Sequence, residues 1–239
     1  MSRDQARCWA VLPAAGTGSR MGGALPKQYM EVGGATLLEH GLRALLACEQ
    51  LTGVVVALHA NDSRAAALPI FQDPRVQTVT GAEQRSGSVL AGLDALVGRA
   101  ASQDWVLVHD AARPCLQSAD VVRLMAAVTA SGIGGILAER IVDTVKQASD
   151  DSLVLRTLDR TTLWRAQTPQ MFRFNELRGA LGQAQERGVV VTDEASAMEL
   201  AGYPVQLITA STGNLKVTNP ADLPLAAWYL QAHARSARM

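Results

Sequence analysis

Residues 11–27 read Val-Leu-Pro-Ala-Ala-Gly-Thr-Gly-Ser-Arg-Met-Gly-Gly-Ala-Leu-Pro-Lys, and this stretch decides the fold. The apolar run that begins at Cys8 ends at Leu12 and gives way to small residues, which predicts a strand that opens into a loop. Glycine and alanine let the backbone approach a ligand closely, so successive N–H groups can point at phosphate oxygens. Arg20 adds a planar fork of donors and Lys27 a compact charge. The pattern predicts an anion-binding loop that suits a polyphosphate.

Two common glycine-rich loops do not fit this stretch. The dinucleotide-binding pattern Gly-x-Gly-x-x-Gly needs a third glycine where the chain has Met21. The P-loop needs Gly-Lys-Ser/Thr, whereas Lys27 stands between Pro26 and Gln28. An ordinary flexible loop between a strand and a helix is the alternative to an anion site, because glycine-rich loops are common.

The composition is that of one soluble α/β domain spanning residues 1–239. Of these 239 residues, 48% are hydrophobic and 18% are charged, which suits a full-size core and leaves no room for a second large domain. Lys+Arg and Asp+Glu balance at 22 each, so no overall field favours nucleic acid or an anionic membrane as a partner. Three scattered cysteines, no apolar leader and no membrane-length apolar run predict a cytoplasmic protein with reduced thiols.

Strands and helices alternate over most of the chain. Thr36 followed by Glu39 predicts a helical capping box, and β-branched runs without polar alternation predict strands covered on both faces. The predicted strands are 8–12, 54–58, 76–79, 105–108 and 205–208; the predicted helices are 36–48, 62–68, 86–97, 118–130, 173–187 and 223–234, with a short helix capped by 192–195. We also predict a loop at 168–172 and a short extended piece at 215–218. The alternation predicts a Rossmann-like, doubly wound, mostly parallel sheet that binds ligands beyond the carboxyl ends of its strands.

Residues 139–162 depart from this alternation. Two apolar segments, 141–146 and 153–158, flank the polar turn cluster 148–152, which predicts a β-hairpin. Because an isolated hairpin is only marginally stable, we expect 139–162 to form an arm that projects from the domain and packs against a second copy of the chain.

A charged segment, His-Asp-Ala-Ala-Arg-Pro at residues 109–114, follows a predicted buried strand. A carboxylate at Asp110 could hold a substrate hydroxyl or help to hold a divalent cation. The alternative is an ion pair with Arg113 that only fixes the loop. The four histidines lack metal-ligand spacing, and no Ser-His-Asp arrangement or Cys-His pair is indicated.

The turn at residues 81–89 is a second candidate. Its N–H groups at Ala82 and Glu83, with the hydroxyl of Ser88, could contact the edge of a base. A plain helix N-cap is an equally good interpretation of Ser88.

The segment Leu-Pro-Ala-Ala-Gly-Thr-Gly-Ser-Arg-Met at 12–21, followed by Pro-Lys-Gln-Tyr at 26–29, resembles the signature of the 2-C-methyl-D-erythritol 4-phosphate cytidylyltransferases. The similarity extends over nearly the whole chain, through segments 36–40, 85–89, 109–114, 143–146, 159–160, 167–170, 192–195 and 216–218. One departure is Ala82-Glu83, where members of the family more often carry two glycines before another residue. Since that turn would contact a nucleotide through its backbone, the departure concerns only fine positioning.

The resemblance implies transfer of CMP from CTP to 2-C-methyl-D-erythritol 4-phosphate with release of pyrophosphate, in the non-mevalonate route to isoprenoids. It implies Mg²⁺ held mainly by the CTP phosphates, with Asp110 as a candidate additional ligand, and a homodimer formed through the arm. The nucleotide-binding residues would be Ala14, Ala15, Gly16, Thr17, Gly18, Ala82, Glu83, Ser88, Asp110 and Ala111. The catalytic residues would be Arg20, Lys27, Arg160 and Lys216. The acceptor would be held by Asp110, Arg113, Thr168, Thr192 and Lys216, and by Thr144 and Arg160 of the partner subunit.

Other functions stay open at this stage. Another polyol-phosphate cytidylyltransferase, such as one that acts on ribitol 5-phosphate, would share the opening loop and much of the architecture. A nucleotide-binding regulatory module without turnover is disfavoured by the intact charged residues. A glycosyltransferase of the GT-A type is disfavoured because the sequence has no Asp-x-Asp metal motif.

Overall fold

The structure is a computed structural model that describes residues 6–16 and 25–236. Its strands are β1 (Cys8–Ala14), β2 (Glu31–Val32), β3 (Ala35–Thr36), β4 (Leu51–Leu58), β5 (Val76–Thr80), β6 (Trp105–Val108), β7 (Gly135–Arg140), β8 (Val145–Ala148), β9 (Val154–Leu158), β10 (Trp164–Arg173) and β11 (Gln206–Thr209). Its α-helices are α1 (Leu37–Leu46), α2 (Arg85–Asp94), α3 (Ser118–Ser131), α4 (Phe174–Glu186), α5 (Glu194–Leu200) and α6 (Asp222–Ser236).

A seven-stranded sheet in the order β11-β7-β10-β6-β1-β4-β5 forms the centre of the described structure. β1 pairs in parallel with β4 and β6, β4 with β5, and β7 with β11. β10 is antiparallel to both of its neighbours, β6 and β7. The predicted doubly wound, mostly parallel α/β sheet is therefore confirmed.

Hydrophobic cores cover both faces of this sheet. On one face, Leu12 of β1 packs with Leu38 and Leu42 of α1. On the other face, Val11 packs with Leu93 of α2. All five side chains are fully buried, and each such burial contributes about 1.5–3 kcal/mol to folding. This explains why β1 lacks polar alternation.

Most predicted elements are found within a few residues of their expected ends. The capping box of α1 is confirmed: the Glu39 N–H donates to the Thr36 hydroxyl at 3.1 Å, and the Thr36 N–H donates to Glu39 Oε2 at 2.9 Å. The strands predicted at 54–58, 76–79, 105–108 and 205–208 correspond to β4, β5, β6 and β11. The remaining predicted helices correspond to α2 through α6, with one exception.

That exception is the helix predicted at 62–68, which is wrong. The Asp62 carboxylate accepts a hydrogen bond from the Ala65 N–H at 3.0 Å, but it begins only a 3₁₀ turn at Ala65–Ala67. Pro69 follows at once and restricts Leu68 to extended backbone, with φ −86° and ψ 123°. An α-helix cannot continue through that residue.

The loop predicted at 168–172 is also wrong, because these residues belong to β10. Gln170 to Arg173 pair with Val108 to Trp105 of β6. The register toward β7 shifts between Ala166 and Gln170, so Pro169, which has no N–H to donate, lies where that ladder is interrupted. The presence of proline led to the incorrect prediction.

The β-hairpin is confirmed, with shorter limits than expected. β8 and β9 form an antiparallel two-stranded sheet of their own, whereas Glu139 and Arg140 end β7, a central strand that the sequence patterns did not indicate. The side chains of Val142, Leu153, Val154 and Leu155 on and beside the hairpin are 76%, 68%, 61% and 63% exposed. The hairpin thus presents apolar surface that residues 6–16 and 25–236 do not cover.

None of the described helices is long and apolar enough to cross a membrane. The three cysteines, Cys8, Cys48 and Cys115, are buried and form no disulfide.

Candidate functional site

The loops after β1 and β6 leave the sheet side by side. These two strands are parallel neighbours, with Val11 opposite Val108, so the residues that follow them meet at the carboxyl edge. Ala14, Ala15 and Ala111 are buried here, and Gly16 is exposed. Four predicted nucleotide-binding residues therefore lie at one edge, whereas Thr17, Gly18 and Arg20 lie outside the described residues.

Lys27 is held next to the end of β1. It begins a short 3₁₀ helix, Lys27–Tyr29. The buried Gln28 donates from Nε2 to the carbonyl of Ala14 at 2.7 Å, and the Tyr29 hydroxyl donates to Asp62 Oδ2 at 2.6 Å. These two hydrogen bonds hold the backbone next to Lys27 beside the end of β1.

Asp110 is the centre of a cluster of charges. Its Oδ1 accepts from Arg85 Nε at 2.7 Å, and its Oδ2 lies 2.8 Å from Lys216 Nζ and 4.0 Å from Arg113 Nε. Burial alone would raise the pKa of this carboxyl, but Arg85 and Lys216 outweigh burial and hold the pKa well below its usual range. Asp110 is therefore ionised, and it draws three cations to the carboxyl edge.

Arg85 links Asp110 to a second carboxylate. Its Nη1 and Nη2 donate to Oε1 and Oε2 of Glu194 at 2.6 and 3.0 Å, a bidentate pair with more directional strength than a single bond. Glu194 is fully buried at the start of α5. In the sequence, Arg85 and Glu194 stand out only as parts of the family resemblance. No local signal could have revealed the pair, because the two residues are 109 positions apart.

Thr168 and His109 support the backbone of Asp110. The Asp110 N–H donates to Thr168 Oγ1 at 3.1 Å, Thr168 Oγ1 lies 2.9 Å from His109 Nδ1, and His109 Nε2 lies 3.2 Å from the Arg113 carbonyl. Burial lowers the pKa of His109 to about 4, so the ring is neutral. Since a carbonyl only accepts, Nε2 carries the proton and the Thr168 hydroxyl donates to Nδ1. Thr168 is thus brought to the site with its hydroxyl engaged by the protein.

The segment that carries Lys216 is tied to this framework. The Val217 N–H donates to the Ala112 carbonyl at 2.8 Å, and Asn214 Nδ2 donates to the Thr168 carbonyl at 2.7 Å. No strand is assigned to the predicted extended piece at 215–218. These two bonds nevertheless place the Lys216 ammonium against Asp110.

A cavity of about 460 Å³ opens beside Arg113 and Lys216. Arg165 adds a third cation to its lining, and Glu139 and Asp222 add carboxylates. The cavity combines positive charge with hydrogen-bonding groups, which suits a small anionic polyol.

Ser88 shapes the turn before α2. Its hydroxyl accepts from the Ala82 N–H at 3.0 Å and lies 2.9 Å from the Ala82 carbonyl, and its side chain is buried. The N-cap of α2 is Gln84, so the N-cap interpretation of Ser88 is wrong. Ala82 and Glu83 are exposed after the carboxyl end of β5, although the Ser88 hydroxyl engages both backbone groups of Ala82.

Three predicted acceptor residues stand apart from the Asp110 cluster. Thr144 and Arg160 belong to the arm, where the Arg160 guanidinium donates to the Val142 carbonyl. Thr192 is exposed two residues before Glu194. Within the described residues, neither Thr144 nor Arg160 forms a hydrogen bond or an ion pair with Asp110 of the same chain.

The side chains around Asp110 bear on the expected binding of Mg²⁺. In residues 6–16 and 25–236, no three histidine, cysteine, aspartate or glutamate side chains come together to hold a metal ion. Both oxygens of Asp110 contact cations. Direct coordination by Asp110 would require one of these contacts to open.

The fold and the site define an α/β nucleotidyltransferase. The family model described as 2-C-methyl-D-erythritol 4-phosphate cytidylyltransferase matches residues 8–232. Enzymes of that name from Yersinia pseudotuberculosis and Yersinia pestis are 49% identical over 222 residues, which cover 92% of this chain and 90% of each relative. The chain belongs to the 2-C-methyl-D-erythritol 4-phosphate cytidylyltransferase family.

Solved structures agree with this assignment. A crystal structure of a 4-diphosphocytidyl-2C-methyl-D-erythritol synthase superposes with a TM-score of 0.81 at 36% identity, over 95% of this chain and 99% of that one. The 2-C-methyl-D-erythritol 4-phosphate cytidylyltransferase of Francisella tularensis superposes with a TM-score of 0.79 at 33% identity, over 94% of this chain and 100% of that one.

Proposed function

We propose that the Asp110 cluster and the loop after β1 carry out the reaction of this family by aligning two anions and neutralising their charge. The reaction transfers CMP from CTP to 2-C-methyl-D-erythritol 4-phosphate, and it yields 4-diphosphocytidyl-2-C-methyl-D-erythritol and pyrophosphate. One observation carries the proposal: an ionised carboxylate lies between Arg85 and Lys216 at the same sheet edge as Ala14, Ala15 and Gly16.

The nucleotide would lie across the carboxyl ends of β1 and β5. The backbone of residues 14–16 and of the turn at Ala82 and Glu83 would hold the cytidine, with Thr17, Gly18 and Ala111 beside it. Lys27 and Arg20 would bind the triphosphate and stabilise the charge that builds on the α-phosphate. The exposure of Gly16, Ala82 and Glu83 supports this placement.

The acceptor would occupy the cavity beside Arg113 and Lys216. Its phosphate oxygen is already an anion, so it can attack the α-phosphorus in line without a strong general base. The neutral His109 has both ring nitrogens occupied by protein partners, which agrees with a reaction that needs no such base. The contributions of this chain are then orientation and electrostatics.

Mg²⁺ would be held by phosphate oxygens of CTP and by water, since Asp110 is engaged with cations and Mg²⁺ retains several waters in such sites. When bound, the ion would neutralise part of the triphosphate charge. Loss of pyrophosphate release on chelation, with recovery on added MgCl₂, tests this assignment.

Each active site would contain residues of both subunits of a dimer. The exposed apolar side chains of the arm support a homodimer in which Thr144 and Arg160 of the partner subunit reach the acceptor phosphate. The unpaired cysteines support a reducing compartment, which we propose to be the cytoplasm.

Gly81→Ala is expected to raise KM for CTP about tenfold, which corresponds to roughly 1.4 kcal/mol and lies within the usual cost of overpacking. A Cβ at Gly81 would come within 2.7 Å of Ala15 Cβ and 2.9 Å of Ser88 Oγ, and so would push the two nucleotide loops apart. Gly179→Ala in α4 is the matched control, because a Cβ there meets no atom within 4 Å. Steady-state kinetics that give equal KM values for the two variants would contradict this role of the Gly81 contact.

Arg160→Ala and Lys216→Ala are each expected to be nearly inactive, and mixing them should restore activity. In a mixed dimer, one of the two sites receives Lys216 from one chain and Arg160 from the other. After random exchange, about half of the dimers are mixed, and each mixed dimer has one intact site of two. About a quarter of wild-type activity should therefore return. Failure to recover activity, with subunit exchange verified by native mass spectrometry, would contradict a shared site. A monomer in sedimentation at micromolar concentration would contradict the dimer itself.

Substrate choice is the direct test of the function. Pyrophosphate release would be measured with each of the four ribonucleoside triphosphates, and with methylerythritol phosphate and ribitol 5-phosphate offered separately. We expect turnover with CTP and methylerythritol phosphate. Preference for ribitol 5-phosphate would assign the chain to the other polyol-phosphate enzymes, and binding without pyrophosphate release would indicate a regulatory module.

A further inference from the structure

A chain of four charged groups runs from the protein interior to the proposed acceptor site. The order is Glu194, Arg85, Asp110 and Lys216, with contacts of 2.6, 2.7 and 2.8 Å between neighbours. Glu194 is fully buried, Asp110 is 6% exposed, and the Lys216 side chain is 41% exposed. The innermost carboxylate is thus three contacts away from an ammonium that faces solvent.

The orientation of Arg85 determines which oxygen of Asp110 contacts Lys216. A guanidinium is planar, and its donors keep fixed directions relative to one another. Because both Nη atoms are held by Glu194, Nε can point in only one direction, and it meets Asp110 at Oδ1. Oδ2 is left for Lys216. With Glu194 unable to hold both Nη atoms, Arg85 could turn those donors to Asp110 and draw the carboxylate from Lys216.

The position of Glu194 is itself fixed by neighbouring hydrogen bonds. The Gln170 side chain on β10 accepts from the Ala195 N–H at 2.8 Å and donates to Asp193 Oδ2 at 2.9 Å. Asp193 closes a capping box with Ser196 at the start of α5. The buried carboxylate is therefore mounted on a rigid helix end that is tied to the central sheet.

We propose that Glu194 and Arg85 are positioning residues for the transfer reaction, acting through Asp110 to set the place of the Lys216 ammonium at the acceptor. The proposal rests on the function proposed above. Neither residue needs to touch the reacting phosphorus or either substrate. Their contribution is orientation, for which a displacement of about 1 Å costs roughly 10²-fold in rate.

Glu194→Gln tests the proposal, because the amide keeps the shape of the side chain and cannot accept both guanidinium bonds. We expect kcat to fall by about 10²-fold, while CTP binds by calorimetry with full stoichiometry and an unchanged Kd. Glu199→Gln is the matched control, since Glu199 lies on the same helix and is exposed. A merely structural role would lower the folded fraction and the CTP stoichiometry together, without lowering kcat per CTP-binding site.

Arg85→Lys is a second, independent variant. It keeps the positive charge and loses the planar guanidinium with its fixed donors, so we expect a similar fall in kcat. It serves as the test if Glu194→Gln does not fold. A kcat within threefold of wild type in a folded variant would overturn the proposal. Wild-type protein that releases no pyrophosphate would instead contradict the proposed function, so the two failures are distinct.

Discussion

Replacing Lys27 by alanine lowers kcat by about 10²–10³, the usual effect of removing one preorganised donor from a developing anion. The expectation follows from the anchoring of this residue: Gln28 and Tyr29 hold the Lys27 backbone beside the end of β1. The backbone that carries this ammonium is therefore in place before the substrates bind. Single-turnover kinetics with saturating CTP and acceptor would measure the effect on the chemical step.

Arg178→Ala is the matched control for this prediction. Arg178 lies on α4, outside the arm and the proposed site, and its ion pair with Asp94 is exposed. We expect its kcat to stay within a few-fold of wild type. If Lys27→Ala changes only KM, the ammonium binds ground state and transition state equally, and the proposed role is refuted. Arg20→Ala should resemble Lys27→Ala, an expectation that rests on the sequence pattern.

Asp110→Asn should lower the free energy of unfolding by about 3 kcal/mol at pH 7, the size expected when one partner of a buried ion pair is removed. The variant leaves Arg85, Arg113 and Lys216 without the carboxylate that they share. Urea unfolding at pH 7 would measure the loss. Asp94→Asn is the control, because its pair with Arg178 is exposed and such pairs contribute at most about 1 kcal/mol.

The stability lost in Asp110→Asn should depend on pH. The folded-state pKa of Asp110 lies below the unfolded-state value of about 3.9. The stabilisation from Asp110 is therefore complete above that value and declines as the pH falls below it. The difference in stability between wild type and Asp110→Asn should shrink in acid. A difference that stays constant from pH 7 to pH 3 would show that the loss is not electrostatic.

The periodic and capped elements of this fold could be predicted from the sequence. The capping box at Thr36 and the β-branched runs of β4 and β6 are local signals, because burial on both faces removes polar alternation. Two wrong predictions lie beside prolines. Pro69 prevents the turn that Asp62 begins from continuing as an α-helix, and Pro169 lies inside β10, where the register toward β7 shifts.

The site was only partly predictable for a different reason. Small residues and cations close together in sequence, as in residues 11–27, indicate an anion site by themselves. The pair of Arg85 and Glu194 spans 109 residues, and no local pattern specifies which buried carboxylate an arginine will meet. Likewise, the resemblance points to Ser88 and Thr168, but the engagement of their hydroxyls by protein groups depends on packing.

The arm has a consequence for how the protein could diversify. It leaves the central sheet after Arg140 and returns at Trp164, and these two residues are paired neighbours on β7 and β10. The hairpin is thus an insertion between ends that the sheet already holds together, where each doubling of length costs only about 0.6 kcal/mol in chain entropy. The core therefore tolerates changes in the length of the hairpin, whereas the roles proposed for Thr144 and Arg160 at the acceptor site would restrict changes at those two positions.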